Sequence, residues 1–412
     1  MCIVMNKDSN INNEWLHLGN KIILNTNTNI KPCLFKEGEI TLLFDGNLLN
    51  FHTLFQSFYE TKYGMGDETN KLSLLIDIYI KYGIHYLLKV LDGSFTFVLL
   101  DQRVEYDESR LYVISDSMGL RPIYSFEIQS LNTKTIYGIN TENEYVDSNL
   151  LNPGKMCVFK RTNLAGKYWE FKKKTTYYSL ANSGGFAYIH SRMDVVYTLI
   201  HNYLYNSVEK RCLVSCHIHG LSPNLGGDLR SPDKFGEVSP LPKDTFMLDK
   251  SNVIFCIVSN HDIESKLIAQ ITNSIFDQVN HANVVKISID HLLETDKDKN
   301  LIANFVYEKI TEYLSKYNHT PINYHVFASS GMMNIEESIQ IQCNGSSIQY
   351  DYDFRKALWA IGSNDLIPNT IEPFKRVNLE VEFPFLDTEW LNFYMSISPK
   401  FRLNKSLIEN SL

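Results

Sequence analysis

The stretch SFTFVLL at residues 94–100 limits the possible folds of this chain more than any other feature. Its apolar character is almost continuous, which is typical of a strand covered on both faces. The turn pair Asp92-Gly93 precedes it, and further strand-like runs follow at 110–114 and 135–138. A strand buried on both faces needs a layer on either side. We therefore predict two sheets with helices outside them in the first part of the chain.

A shorter apolar run at 39–44 leads into Asp45-Gly46-Asn47. The Asp-Gly pair is a common turn sequence and predicts that the strand ends there. Apolar residues then recur at helical spacing over 48–55 and over 72–79. We therefore expect helices between this strand and the buried strand at 94–100.

Length and charge exclude several classes of protein. A chain of 412 residues is expected to form two domains. The net charge of −8 argues against a nucleic-acid-binding protein that neutralises phosphates. The sequence has no apolar run of membrane-spanning length and no secretory leader pattern, and its seven cysteines are an odd number. We expect a cytoplasmic protein without a disulfide framework, and with neither nucleic acid nor membrane as a partner.

The second half of the chain alternates between helical and strand-like patterns, as α/β proteins do. Strand-like runs lie at 254–258 and 324–328, and helical patterns at 195–208, 263–276 and 300–317. Residues 213–218 alternate in polarity like another strand. The segment 219–251 is long and irregular, and no pattern assigns it a role.

Cys212, Cys216, His217 and His219 lie close together and raise the question of a zinc site. Strand-like alternation would point Cys216 and His217 to opposite faces. The spacing also matches no common zinc module, and a buried cysteine usually serves as a small apolar side chain. We therefore predict no metal site in this cluster.

Several motifs occur in the order found in one enzyme family. Cys2 follows the first Met, Asp45-Gly46-Asn47 follows a strand, and the most specific stretches are 79–101, 115–126 and 152–159. In these motifs the chain resembles the glutaminase domain of glutamine-hydrolysing asparagine synthetases, which are class II glutamine amidotransferases. The resemblance implies an αββα sandwich of the N-terminal-nucleophile (Ntn) type over residues 1–165.

The late segment 380–399 also resembles this family, through Glu380, Pro384-Phe385-Leu386-Asp387 and Pro399. It implies that residues 190–412 form an α/β adenine-nucleotide-hydrolase-like domain of the PP-loop type. This asparagine-synthetase-like domain is expected to be degenerate and truncated, since family members usually continue past the position of Leu412.

The resemblance assigns Cys2 as the nucleophile that attacks the side-chain amide of glutamine, with its own α-amine as the base once Met1 is removed. Gly46 matches the glycine of the oxyanion hole. Asp45 replaces the neighbouring asparagine, and a carboxylate cannot donate hydrogen bonds. Lys21 takes the place of a substrate-binding arginine, and Asn47 is included as a further glutamine contact.

Two further positions depart from the family pattern around the nucleophile. Ile3 stands where the family has a glycine, and Lys71 stands where it has the aspartate that holds the α-amine of glutamine. The type and position of the nucleophile survive while its surroundings change. Both a working and a non-working glutaminase site therefore remain open.

The resemblance also implies a site for ATP and Mg²⁺ in the second half. Groups at such a site stabilise charge in the transition state, so their loss predicts strongly impaired ATP-dependent amidation of aspartate. The resemblance places a Ser-Gly-Gly-x-Asp-Ser phosphate loop in the stretch 212–232, where Pro223 stands and the motif is absent. The other departures from the family pattern are four: Met332 in place of a glutamate, Ile335-Glu336 in place of an acidic pair, Glu382 in place of an arginine, and Asn410 in place of a lysine. The expected ATP-binding positions are Leu221, Ser222, Ile257, Ser330 and Gly331.

Three functions remain open at this point. The first is an asparagine-synthetase-like amidotransferase with residual glutaminase chemistry at Cys2, for which glutamine, aspartate and ATP are the implied partners. The second is a non-catalytic homologue that is retained for binding or structure, as a homodimer or with an assembly partner. The third is an intact synthetase that uses Gly226-Gly227-Asp228 as its phosphate loop.

Overall fold

The computed structural model of the protein describes residues 2–5, 15–17, 22–25, 33–37, 39–59, 68–103, 109–129, 135–140, 149–161, 169–179, 189, 192–218, 253–259, 262–277, 283–289, 299–315, 323–343, 345–363, 366–377, 379–403 and 407–408. Lys21 and the whole segment 219–251, with Leu221 and Ser222, lie outside these residues. The described residues up to 179 are called the first half below, and those from 189 onward the second half.

The first half contains two antiparallel sheets and, between strands β5 and β6 in sequence, a group of helices. The helices are α1 (Phe51–Tyr59), α2 (Glu68–Tyr82) and α3 (Ile84–Val90). The strands are β1 (Cys2–Met5), β2 (Trp15–His17), β3 (Ile22–Asn25), β4 (Cys33–Glu37), β5 (Ile40–Leu48), β6 (Gly93–Asp101), β7 (Arg110–Ser115), β8 (Tyr124–Gln129), β9 (Thr135–Asn140), β10 (Asn149–Leu150), β11 (Lys155–Arg161) and β12 (Trp169–Thr176). One sheet has the order β10-β8-β9-β1-β3-β2, and the other has the order β12-β11-β7-β6-β5-β4.

The sheet that contains β5 and β6 separates two groups of buried side chains. Phe44 on β5 packs with Leu75 of α2 and Leu87 of α3. Neighbouring residues of a strand point to opposite faces, and Leu43 accordingly packs in a different cluster on the other side. The prediction of a strand buried on both faces is confirmed, because residues 95–101 of β6 are all buried. The mixed arrangement of antiparallel sheets and helices agrees with the predicted fold class.

The structure corrects the predicted turn at Asp45-Gly46. Strand β5 continues through Asp45-Gly46-Asn47 to Leu48, and the chain turns at residues 49–50 instead. All nine residues of β5 pair with β6, and this long ladder outweighs the local turn preference of Asp-Gly. Helix α1 consequently begins at Phe51, later than the sequence pattern predicted.

The second half is built on a parallel sheet with the order β14-β13-β15-β16. Parallel strands need long crossover connections, and helices supply them here, as predicted for an α/β domain. The strands are β13 (Val253–Ser259), β14 (Asn283–Ser288), β15 (Asn323–Ala328) and β16 (Val381–Glu382). The helices are α4 (Met193–Ile218), α5 (Ile263–Asp277), α6 (Lys299–Ser315), α7 (Met332–Gln342), α8 (Ser347–Ser363), α9 (Leu366–Arg376), α10 (Thr388–Ser396) and α11 (Pro399–Arg402).

The prediction of a strand at residues 213–218 is wrong, because these residues form the last turns of α4. Buried residues recur every four positions along this helix, at Val196, Ile200, Leu204 and Val208. The helix that carries this stripe continues through residues 213–218, where local alternation suggested a strand. Cys212 is buried, and the side chains of 213–218 lie outside the described residues. In the described part of the chain, no helix is both long and apolar enough to cross a membrane.

A buried polar group joins the last helices of the second half. Glu336 on α7 accepts hydrogen bonds from the hydroxyls of Tyr350 on α8 and Tyr394 on α10. Arg402 is fully buried, lies over the Tyr350 ring and pairs with Asp351. Complete burial raises the pKa of Glu336 to about 7, although both tyrosines and Arg402 favour the ionised carboxylate.

Glu336→Gln should flatten the pH dependence of stability between pH 4.5 and about 7. Because burial raises the pKa in the folded state above that in the unfolded state, the folded protein holds this proton more tightly. The free energy of unfolding of the unmodified protein therefore falls as pH rises through this window, by up to about 3 kcal/mol. A glutamine has no proton to lose, so it removes this contribution.

Urea unfolding on both sides of this pH window measures the effect of Glu336→Gln. The matched control is Glu337→Gln, an exposed position on the same helix, which should keep the original pH dependence. An unchanged pH dependence in Glu336→Gln would contradict the raised pKa.

Candidate functional site

The predicted glutamine contacts on β5 lie on the face of the sheet that points away from α2 and α3. Asp45 and Asn47 are two residues apart and share this face. Asp45 is buried, and its Oδ2 lies 4.0 Å from Nζ of Lys375 on α9. Nδ2 of Asn47 donates to Oε2 of Glu380 and to Oε1 of Glu382, at 3.3 Å each. Both side chains are therefore in contact with the second half of the chain.

A tight loop after β7 brings Arg121 to the same place. Oδ1 of Asp116 accepts the backbone N–H groups of Met118 at 2.8 Å and Leu120 at 3.1 Å, and Oδ2 accepts that of Arg121 at 2.9 Å. Burial raises the pKa of Asp116 to about 6, against the effect of these donors. The Arg121 guanidinium is 5% exposed and lies 3.3 Å from Oε2 of Glu380. Arg121 lowers the pKa of Glu380, as expected for a close opposite charge.

Beside these residues, a buried ion network links the two halves. Nη1 of Arg211 on α4 lies 2.9 Å from Oδ2 of Asp387, and its Nε lies 3.6 Å from Oε2 of Glu382. Nζ of Lys210 lies 2.7 Å from Asp387 and 2.6 Å from Asp92, which precedes β6. Burial acts to raise the pKa of Asp387, but Arg211 and Lys210 outweigh burial and lower it. Through Lys210, the network joins α4 and the start of α10 to the first half.

A cavity lies among these charges, between the two halves. Its interior of about 10 Å³ is the size of a site for one water molecule, so a glutamine side chain does not fit inside it. Its charged and polar lining among the described residues consists of Ser94, Arg121, Arg211, Lys375, Glu380 and Glu382.

Cys2 begins β1, which lies in the interior of its sheet. Its backbone pairs with Asn25 of β3 on one side and with Asn140 of β9 on the other. The side chain of Cys2, and Lys21 altogether, lie outside the described residues. The grouping of these two residues with Asp45 and Asn47 therefore stays a prediction.

Lys71, which stands where the family has its aspartate, does not join the predicted glutamine contacts. It lies on α2, is buried, and places Nζ 5.5 Å from the centre of the Phe44 ring. Phe44 packs against the helices, whereas Asp45 and Asn47 point to the opposite face of β5. The sheet therefore separates Lys71 from both of them.

Gly46 is required by the backbone, independently of any role in an oxyanion hole. Its φ of 128° lies in a region that favours glycine. A Cβ atom at this position would lie 2.1 Å from the carbonyl oxygen of Ser94 on the neighbouring strand. The close approach of β5 and β6 therefore depends on a residue without a side chain.

Gly46→Ala should lower the free energy of unfolding by about 2–4 kcal/mol, because the strands must separate to admit the methyl group. Gly83→Ala is the matched control, since Gly83 has a φ of 82° but open space where a Cβ atom would lie. Only the backbone strain of about 1–2 kcal/mol is expected there. Chemical denaturation compares the two variants, and equal losses would contradict a steric requirement at Gly46.

Asp387→Ala should destabilise the protein by about 3–5 kcal/mol, because it leaves the buried Arg211 and the partly buried Lys210 without this partner. Glu389→Ala is the control, since Glu389 also approaches Lys210, at 3.5 Å, but its side chain is 66% exposed. An exposed pair of this kind contributes about 0–1 kcal/mol. Urea unfolding measures both variants, and similar small losses would show that the network does not stabilise the contact between the halves.

The predicted nucleotide contacts in the second half are only partly brought together. Ile257 lies inside β13, where it is fully buried between β14 and β15. Ser330 and Gly331 lie in the loop between β15 and α7, at the carboxyl edge of the parallel sheet. Ligands of α/β domains usually bind at this edge.

Sequence reasoning missed the residues that meet Ser330 and Gly331 at this edge. Strand β13 ends at Ser259, and α5 follows directly after Asp262. Oδ1 of Asp262 accepts the backbone N–H of Ser265 at 2.8 Å, and its Oδ2 accepts the hydroxyl of Ser329. The hydroxyls of Ser259 and Ser265 are 3.3 Å apart.

A signal for these residues was present in the sequence. The stretch SNHDIES at 259–265 has the order serine, acidic residue, serine of the expected Ser-Gly-Gly-x-Asp-Ser loop, with one residue more. Asn260 and His261 stand where that loop has its glycines. The prediction placed this loop at Leu221-Ser222 instead, a few residues before the glycine pair 226–227.

Glu264 occupies the centre of this edge and is 1% exposed. Its Oε2 accepts the backbone N–H of Ser330 at 2.7 Å and the hydroxyl of Ser330 at 2.8 Å. Its Oε1 accepts the backbone N–H of Met333 at 2.8 Å. Burial raises the pKa of Glu264, against the effect of these donors.

Comparison with protein-family models matches residues 19–136 to a glutamine amidotransferase domain. The matched region contains Lys21, Asp45-Gly46-Asn47, the buried strand β6 and the loop that carries Arg121. It leaves out Cys2 and all of the second half. A search of curated proteins found none that matches the chain. The comparisons thus support a class II glutamine amidotransferase domain in the first half, with glutamine as its substrate.

Proposed function

We propose, from the glutamine amidotransferase domain at residues 19–136, that the protein is a divergent relative of the glutamine-hydrolysing asparagine synthetases. In this proposal, residues 1–165 form the glutaminase-like domain of the Ntn type, and residues 190–412 form a synthetase-like domain of the PP-loop type. The first retains at most slow glutamine hydrolysis at Cys2. The second no longer performs ATP-dependent amidation of aspartate. The match to the amidotransferase domain is the observation that carries the proposal.

The proposed hydrolysis begins with attack of the Cys2 thiolate on the side-chain amide carbon of glutamine. The nitrogen accepts a proton and leaves as ammonia, and water then hydrolyses the thioester to glutamate. After removal of Met1, the α-amine of Cys2 serves as the base. The pairing of β1 on both sides supports this role, because it holds the backbone at Cys2 in place.

The surroundings of the site favour a slow reaction. The carboxylate of Asp45 cannot donate to an oxyanion, and it adds negative charge near the place where negative charge develops. Its proximity to Lys375 keeps it directed toward the second half. Gly46 keeps its backbone N–H, which leaves one potential donor of the expected pair.

The residues at the carboxyl edge of the parallel sheet do not fit the phosphate groups of ATP. The backbone N–H groups that would face a phosphate are bonded to the carboxylate of Glu264. A phosphate group would meet this like charge at close range, with the carboxylate of Asp262 beside it. We therefore propose that ATP-dependent amidation of aspartate is lost.

A second candidate is a non-catalytic homologue that is retained for structure or binding. One observation favours it: Asp45 and Asn47, two of the predicted glutamine contacts, meet Lys375, Glu380 and Glu382 of the second half. Side chains engaged in this way stabilise the contact between the halves whether or not glutamine binds. Homodimer formation, an assembly partner and a cytoplasmic location remain predictions.

Purified protein should release ammonia from glutamine slowly, and Cys2→Ala should reduce this release by at least about a hundredfold. Cys157→Ala removes a half-buried thiol from β11 and serves as the control, which should leave the rate unchanged. No asparagine should form from aspartate, ATP and ammonia. Intact mass shows whether Met1 has been removed.

The outcomes separate the candidates. Absence of ammonia release from protein that lacks Met1 would favour the non-catalytic homologue over the glutaminase. ATP-dependent formation of asparagine would overturn the proposed loss of synthetase activity. Equal rates for Cys2→Ala and the unmodified protein would show that Cys2 is not the nucleophile.

A further inference from the structure

The loop between β15 and α7 has the form of an anion-binding cradle. Gly331 has a φ of 74°, which turns the chain directly into α7, a helix of 11 residues. The first N–H groups of a helix have no acceptor within the helix and carry a partial positive charge. Together with the Ser330 hydroxyl, they form a set of donors that suits a phosphate or carboxylate.

An anion from a different part of the chain already fills this cradle. Glu264 lies in the first turn of α5, and its carboxylate reaches across the edge of the sheet from β13 to β15. It accepts hydrogen bonds from the N–H and hydroxyl of Ser330 and from the N–H of Met333, and the hydroxyl of Ser329 also lies 3.3 Å from its Oε2. Both carboxylate oxygens are used, and the side chain is completely buried.

A second contact holds the same two loops together. The hydroxyl of Ser329 donates to Oδ2 of Asp262, which also caps α5 through Oδ1. The loops that follow β13 and β15 are therefore joined at two neighbouring points. A ligand that entered between them would have to break both contacts.

We propose that Glu264 is a built-in occupant of this cradle, which closes the edge of the parallel sheet to ligands that bear a phosphate. This proposal rests on the loss of ATP-dependent chemistry proposed above, but it concerns anion binding alone. A phosphate would have to displace the carboxylate from these donors and then remain beside it. Removing the carboxylate should free the donors without removing any of them.

The test measures binding of inorganic pyrophosphate by isothermal titration, in the absence of glutamine, aspartate and nucleotide. Glu264→Ala should bind pyrophosphate at least about tenfold more tightly than the unmodified protein, a difference of about 1.4 kcal/mol. Glu337→Ala removes one negative charge from the exposed side of α7 and controls for net charge. It should leave pyrophosphate affinity unchanged.

Glu264→Ser is the second variant, in case alanine leaves the cradle too empty for the protein to fold. Acetate provides a second measurement, because a small carboxylate should raise the melting temperature of either Glu264 variant and not that of the unmodified protein. A folded variant without gain in pyrophosphate affinity would overturn the proposal, and so would an equal gain in Glu337→Ala. If both Glu264 variants stay unfolded in the presence of pyrophosphate and of acetate, the proposal is also overturned. An external anion could then not replace the carboxylate.

These results do not depend on glutaminase activity. Loss of the proposed function would appear in ammonia release at Cys2, whereas failure of the present proposal would appear in pyrophosphate binding. Either proposal can therefore be contradicted while the other is supported.

Discussion

The contact between the two halves depends on the carboxylate of Asp387. A buried charge is costly unless it is paired and hydrogen-bonded. Asp387 lies close to Arg211 and Lys210, and it also accepts two backbone N–H groups at the start of α10. One side chain thus fixes α4 against α10. Lys210 extends the arrangement to Asp92, so the first half is positioned by the same charge.

The substitutions at the interface form a self-consistent set. Three carboxylates, Asp45, Glu380 and Glu382, lie among three cations in the described part of the chain, Arg121, Arg211 and Lys375. Glu382 replaces the arginine that the resemblance implies, and Arg211 supplies the opposite charge from α4. Buried charges require opposite charges nearby, because a single reversed charge would remain unpaired in the interior. Each of these charges therefore has an opposite charge nearby at the contact between the halves.

Local patterns predicted the elements of this fold better than they predicted its contacts. The continuous apolar run at 94–100 indicated a strand buried on both faces, because that pattern depends only on neighbouring residues. The predictions of a turn at Asp45-Gly46 and of a strand at 213–218 were wrong, since these residues belong to a long strand ladder and to a long helix. Glu264 meets Ser330 across 66 positions, and no local pattern encodes such a partner.

Asp45 and Glu264 oppose the proposed ancestral chemistry in the same way. Each places a negative charge where that chemistry requires donors for an anion, an oxyanion in one half and a phosphate in the other. Each is also held by partners from another element, Lys375 in one case and Ser330 in the other. In the proposed function, the contacts that hold these two carboxylates in place are therefore also the contacts that obstruct those anions. Because both carboxylates are buried, salt would screen this repulsion far less than it screens charges at the surface.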